Sequence, residues 1–167
     1  MQVGENPFVL RTKIEMPAVV NFKPEECFQE ENDFGLRMII TGRFFENFLR
    51  NPEPRTFLPP CEIRAMQPSI DAPLDANIIF YLGRQCGFQL AHLFHILVNE
   101  PKKEERILLK EAASFFFLPT PRGNRRAYAV FVPEEQRWKL GVDRLNTPWK
   151  CRRIDQVFSY GPEALQS

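Results

Sequence analysis

Proline placement constrains this chain more than any other feature. Fifteen prolines are spread through 167 residues. A proline inside a helix removes a backbone hydrogen bond and clashes with the preceding turn. Long helices are therefore confined to proline-free windows, and three stand out: residues 25–51, 74–100 and 102–118. In the second window, Cys86, Leu90, Leu93, Phe94 and Leu97 recur at helical spacing. Phe88, Ile96 and Val98 make the other faces apolar, which predicts a helix buried on several sides. Residues 78–82 are either its first turns or a buried strand leading into it. In the third window, Leu109, Ala112, Ala113, Phe116 and Phe117 follow the i, i+3, i+4, i+7, i+8 pattern. Together the two windows predict a helical hairpin turning around Asn99, Glu100 and Pro101.

The flanking segments read as β. Residues 8–14 and 18–22 are rich in β-branched and aromatic side chains, with Pro17 between them. Pro24 followed by Glu25 and Glu26 suits the first turn of a short helix. Residues 35–41 read as a strand. Thr41 then caps a second short helix carrying Phe44, Phe45, Phe48 and Leu49 on one face, which Asn51 and Pro52 stop. The proline-dense segment 51–73 reads as an irregular connection or a seam between subdomains, with a short strand over 62–66. Residues 126–132 and 137–142 pair around the four-residue loop 133–136. Arg137, Lys139 and Gly141 alternate there with Trp138, Leu140 and Val142, one polar face against one apolar face. Residues 149–153 and 154–160 offer one or two further strands. The expected fold class is α+β: a central helical hairpin packed against antiparallel β segments from the N-terminal and C-terminal parts. It is expected as a single domain over 1–167, with a basic, β-rich part over 119–167.

A chain of this length buries enough core to stand without disulfides or metal. Phe is overused, at 16 copies against two Trp and three Tyr, which predicts aromatic core layers or an apolar patch kept for a partner. Cys27, Cys61, Cys86 and Cys151 form no CxxC pair and match no zinc spacing, so reduced thiols are expected. The N-terminus shows no basic and apolar leader pattern, and no 18-residue apolar run exists. A cytoplasmic protein with no membrane partner is the expectation.

The sharpest local string is Gly83-Arg84-Gln85-Cys86-Gly87-Phe88. A cysteine after a turn, at a helix N-terminus, can act as a nucleophile. Cys86-Gly87-Phe88 followed by an apolar helix resembles the nucleophile region of Ulp- and adenovirus-type thiol peptidases. That resemblance implies a catalytic histidine well upstream of the cysteine. Here the histidines are His92 and His95, downstream and roughly 9 to 13 Å along a helix axis from Cys86. The activity is therefore not carried over. His92 and His95 have the i, i+3 spacing of a metal-chelating pair, but no neighbouring carboxylate or thiol in sequence completes a site. Gly83, Gly87 and Gly123 stand isolated, with no phosphate loop and no G-x-S-x-G. No cofactor and no metal are expected.

Charge is unevenly spread. Residues 119–167 carry 9 basic and 5 acidic groups, while residues 1–118 carry 13 and 16. Arg122, Arg125, Arg126, Arg137, Lys139, Lys150, Arg152 and Arg153 are interleaved with Tyr128, Trp138 and Trp149. Guanidinium groups for phosphates and aromatics for stacking are what RNA or single-stranded DNA requires. The leading expectation is a non-enzymatic interaction, adaptor or assembly protein with a protein partner or a second copy of itself. Nucleic-acid binding through the basic C-terminal module is one alternative, and a thiol-dependent enzyme using Cys86 is another.

Overall fold

The centre of the fold is a strand, where the sequence pattern predicts a helix. Ser114–Thr120 forms the fourth of seven strands in a mixed sheet. The expected α+β fold, a central helical hairpin on antiparallel β segments, is thereby overturned: the described residues are mostly strand, built around one mixed sheet. Phe115 and Phe117 point to one face of the sheet, Phe116 and Leu118 to the other, and all four are buried. A strand covered on both faces reads as a continuous apolar run. In so short a run, helical spacing among the same residues is coincidental.

The computed structural model describes residues 8–31, 36–51, 55–69, 89–99, 108–120, 122–143, 152 and 154–160. Nine strands are described: β1 Phe8–Met16, β2 Val19–Phe22, β3 Met38–Ile40, β4 Arg55–Leu58, β5 Cys61–Pro68, β6 Ser114–Thr120, β7 Gly123–Val132, β8 Arg137–Asp143 and β9 Gln156–Tyr160. The main sheet runs β1-β5-β9-β6-β7-β8-β3, and β2 and β4 form a two-stranded ribbon. The β6–β9 and β3–β8 pairs are parallel, and the others antiparallel. The helices are α1 Pro24–Cys27, α2 Gly42–Phe44 and α3 Leu90–Asn99. Thr41 caps α2 as its sequence position suggests, its hydroxyl accepting from the Phe44 N–H at 3.3 Å. α2 runs on as a π turn, Phe45–Leu49. The wider turn leaves Phe45 exposed while Phe44, Phe48 and Leu49 stay buried, so the four do not share one face.

The described part of segment 51–73 carries more regular structure than its prolines suggest. It contains β4 and the eight-residue β5, the strand next to the edge strand β1. The β1–β5 and β2–β4 ladders keep one register: Met16 faces Cys61 and Val19 faces Leu58. Extended between them, that register sets Pro17 opposite Pro60 and Ala18 opposite Pro59. Prolines cannot donate to a ladder, so pairing lapses there and the ribbon leaves the sheet.

The larger core lies on one face. Leu93, Phe94, Ile96 and Leu97 of α3 pack over Phe116, Leu118, Ala127, Ala129, Leu140 and Phe158. Phe116 and Phe158 stack with centroids 4.8 Å apart. Phe22 of the ribbon meets Phe28 and Phe94 at 6.3 and 5.8 Å, and Phe28 meets Phe44 at 5.6 Å. These rings tie ribbon, α1, α2 and α3 into one layer. The opposite face carries a smaller cluster of Phe8, Phe115, Phe117 and Val157, with Tyr128 packed against it.

Tyr128 is paired with Gly141, and its ring lies across that glycine, filling the space a Cβ would occupy. The Gly141→Ala variant is expected to cost about 1–3 kcal/mol of stability through overpacking. Adding Tyr128→Ala should recover part of that loss. Chemical denaturation of the two single variants and the double variant checks this, with strict additivity as the contrary result.

Candidate functional site

The sequence-predicted basic residues fall at separate places in the sheet. Arg122 is exposed at the tip of the β6–β7 hairpin, with Arg125 half-buried nearby on β7. Arg137 begins β8 opposite Val132, at the far end of β7, roughly 30 Å away along a ten-residue strand. Lys139 lies between them, half-buried on β8. Arg126 is fully buried and sits 3.9 Å from the Asp143 carboxylate. Arg152 is committed to the buried Asp155, which accepts from the Arg152 N–H at 2.7 Å and from its guanidinium at 3.1 Å. Asp155 also accepts from the Ala113 N–H at 2.9 Å, fastening the turn before β6 to the start of β9. Lys150 and Arg153 lie outside the described residues, as do Cys86 and Trp149. Among the described residues the basic groups form no single continuous track.

One histidine does meet a cysteine, in a pair that sequence distance hides. His92 on α3 and Cys61 at the start of β5 are both buried, with Nε2 3.8 Å from Sγ. The Gln89 N–H donates to His92 Nδ1 at 3.3 Å. With Nδ1 accepting, the neutral ring carries its proton on Nε2 and directs it at the sulfur. That tautomer has no nitrogen free to take the thiol proton. Burial, reinforced by His95, lowers the His92 pKa to about 4. Burial, with Glu15 adding to it, pushes the Cys61 thiol up to about 11. Near neutral pH both groups are uncharged, whereas a nucleophilic pair needs a thiolate. The contact is configured as a core hydrogen bond. His95 is half-buried one turn on, and among the described residues no group of three His, Cys, Asp or Glu side chains is placed to hold a metal ion.

Two surface features had no signal in the sequence pattern. The first is a polar cleft of about 420 Å³ between the π turn and the β6–β7 hairpin, lined by Glu46, Asn47, Arg50, Asn51, Thr120 and Arg122. The i, i+4 spacing of Glu46 and Arg50 marks their ion pair, 2.9 Å long. Nothing in the sequence brings Arg50 to Arg122. The second is on the ribbon, where the directly paired Val20 and Phe57 are 61% and 58% exposed. Alternation sets the adjacent Phe57 and Leu58 on opposite faces, while the left-handed Asn21 (φ 54°) interrupts the alternation between Val20 and Phe22.

Comparisons with protein-family models, curated proteins and solved structures find no match to this chain. No described helix is long and apolar enough to cross a membrane.

The His92 pKa sets a direction for stability against pH. The unfolded imidazole titrates near 6.5 and the folded one near 4. As pH falls through that window the unfolded chain takes up a proton that the folded chain refuses. Stability should therefore drop between about pH 6.5 and 4, by about 3 kcal/mol from this group. Denaturation midpoints for wild type and His92→Gln over pH 4–8 test this. The gap between the two curves should narrow as pH falls, and a constant gap would refute it.

Proposed function

We propose that this chain is a non-enzymatic interaction protein that docks a protein partner on the outer face of the β2–β4 ribbon. The carrying observation is the cross-strand pair Val20 and Phe57, two large apolar side chains exposed side by side. A two-stranded ribbon is marginal by itself in water. This one is anchored on its inner face by Phe22, which packs against Phe28 and Phe94, so its outer face is held out on a fixed support. Among the described residues neither β2 nor β4 pairs with a third strand. Open strand edges beside apolar side chains are what a partner's extended segment pairs with.

The test is site-specific photo-crosslinking in the cells that produce the protein. A photoreactive residue at position 57 should trap a discrete protein adduct, and Val20→Asp should abolish it without lowering the denaturation midpoint. The same residue at Glu134, exposed in the β7–β8 turn, should trap none. Matching adduct patterns from positions 57 and 134 would count against the ribbon as the docking face.

A further inference from the structure

We propose that the cleft between the π turn and the β6–β7 hairpin binds a small phosphate monoester that also carries hydroxyl groups, with Arg50 and Arg122 as its clamp. This goes beyond partner docking and uses a different surface. The residues lining the cleft bring two guanidinium groups and one carboxylate among amides and a hydroxyl. Its volume of about 420 Å³ falls in the range of small-molecule sites and far exceeds one bare anion. Guanidinium groups present planar, paired N–H donors that match phosphate oxygens.

The two arginines are held in different ways. Arg122 follows a turn built by Thr120, whose hydroxyl donates to the Gly123 carbonyl at 2.7 Å and accepts from the Arg122 N–H at 3.2 Å. Its guanidinium makes no ion pair among the described residues. Arg50 is steadied by Glu46 across one exposed turn, a pairing weak enough for a doubly charged anion to compete with. Asn47 donates its amide N–H to the Arg43 carbonyl at 2.7 Å, which leaves its amide oxygen for a ligand hydroxyl. The Glu46 carboxylate is the second acceptor on that side. A guanidinium on each wall, with the Glu46 and Asn47 acceptors beside Arg50, suits a phosphate joined to a hydroxyl-bearing group.

The π turn makes this arrangement. The Arg50 N–H bonds back to the Phe45 carbonyl, five residues away, at 2.9 Å. The widened turn sets Glu46, Asn47, Arg50 and Asn51 along the cleft while Phe44, Phe48 and Leu49 fill the core. π turns are rare and recur at functional sites.

Titration calorimetry with ribose 5-phosphate, and with ribose as control, tests the assignment at low salt. Ribose 5-phosphate should bind saturably and ribose should not. Arg122→Ala and Arg50→Ala should each weaken binding on the order of 10-fold, with unchanged denaturation midpoints because both side chains are exposed. Arg137→Ala, at the far end of β7, should leave binding unchanged. The proposal is overturned by absence of ribose 5-phosphate binding, by equal binding of ribose, or by an Arg137→Ala loss as large as that of Arg122→Ala.

Discussion

Burial of β6 on both faces is the constraint on which the rest of the structure depends. Phe116 and Leu118 meet the helical layer, while Phe115 and Phe117 require cover on the other side. Neighbouring strands answer with graded volumes. Ala127 stands beside Phe116 and Ala129 beside Ser114, leaving room for α3 to approach the sheet. On the opposite face, Arg126 pairs with Phe117 and Tyr128 with Phe115. Both bring a long apolar body with a polar end; Tyr128 is half-buried and Arg126 fully buried. The polar end of Arg126 is placed near Asp143, and the Tyr128 ring is accommodated only because Gly141 has no side chain.

Prolines then decide where the sheet stops. The pairing of β1 with β5 would run on through β2 and β4, since the register is shared. Pro17, Pro59 and Pro60 withhold the donors for that continuation. The freed ribbon is held by aromatic contacts instead of ladder bonds. Phe22 enters a chain of rings through Phe28 to Phe44 and Phe48, at centroid distances between 5.0 and 6.3 Å. Pairs at such spacing contribute about 0.5–1.5 kcal/mol each beyond their buried area. This is where much of the unusual phenylalanine content is placed, and it links the N-terminal ribbon to the helices that cover the main sheet.

The parts legible in the sequence were those with local causes. The β7–β8 hairpin follows from strict alternation around a four-residue turn. α1 begins where Pro24 permits, and α2 begins at a capping threonine. The central error has an equally physical origin. Leu109, Ala112, Ala113, Phe116 and Phe117 satisfy a helical period, but the same residues include a strand buried on both faces, and periodicity cannot separate the two. β-branching offered no help, because the run is built from Phe and Leu. Likewise β5 was shortened in expectation by the prolines that flank it, though those prolines bound a strand and do not interrupt one. The Cys61–His92 contact and the meeting of Arg50 with Arg122 are tertiary facts, with no trace in spacing.

Linear charge asymmetry is likewise not spatial asymmetry. β9, from the basic end of the chain, lies between β5 and β6, and β3, from the acidic half, lies beside β8. Two of the C-terminal cations meet anions of their own third of the chain. Arg126 approaches Asp143, and Arg152 is bound to Asp155. Arg122 is carried the other way, to a cleft whose opposite wall comes from the acidic half and supplies Arg50 together with its partner Glu46. A net charge counted along the sequence therefore identifies neither the cations available to a ligand nor their neighbours. Those are decided by strand order, because parallel pairing of β3 with β8 delivers the π turn to the end of the sheet where the β6–β7 hairpin closes.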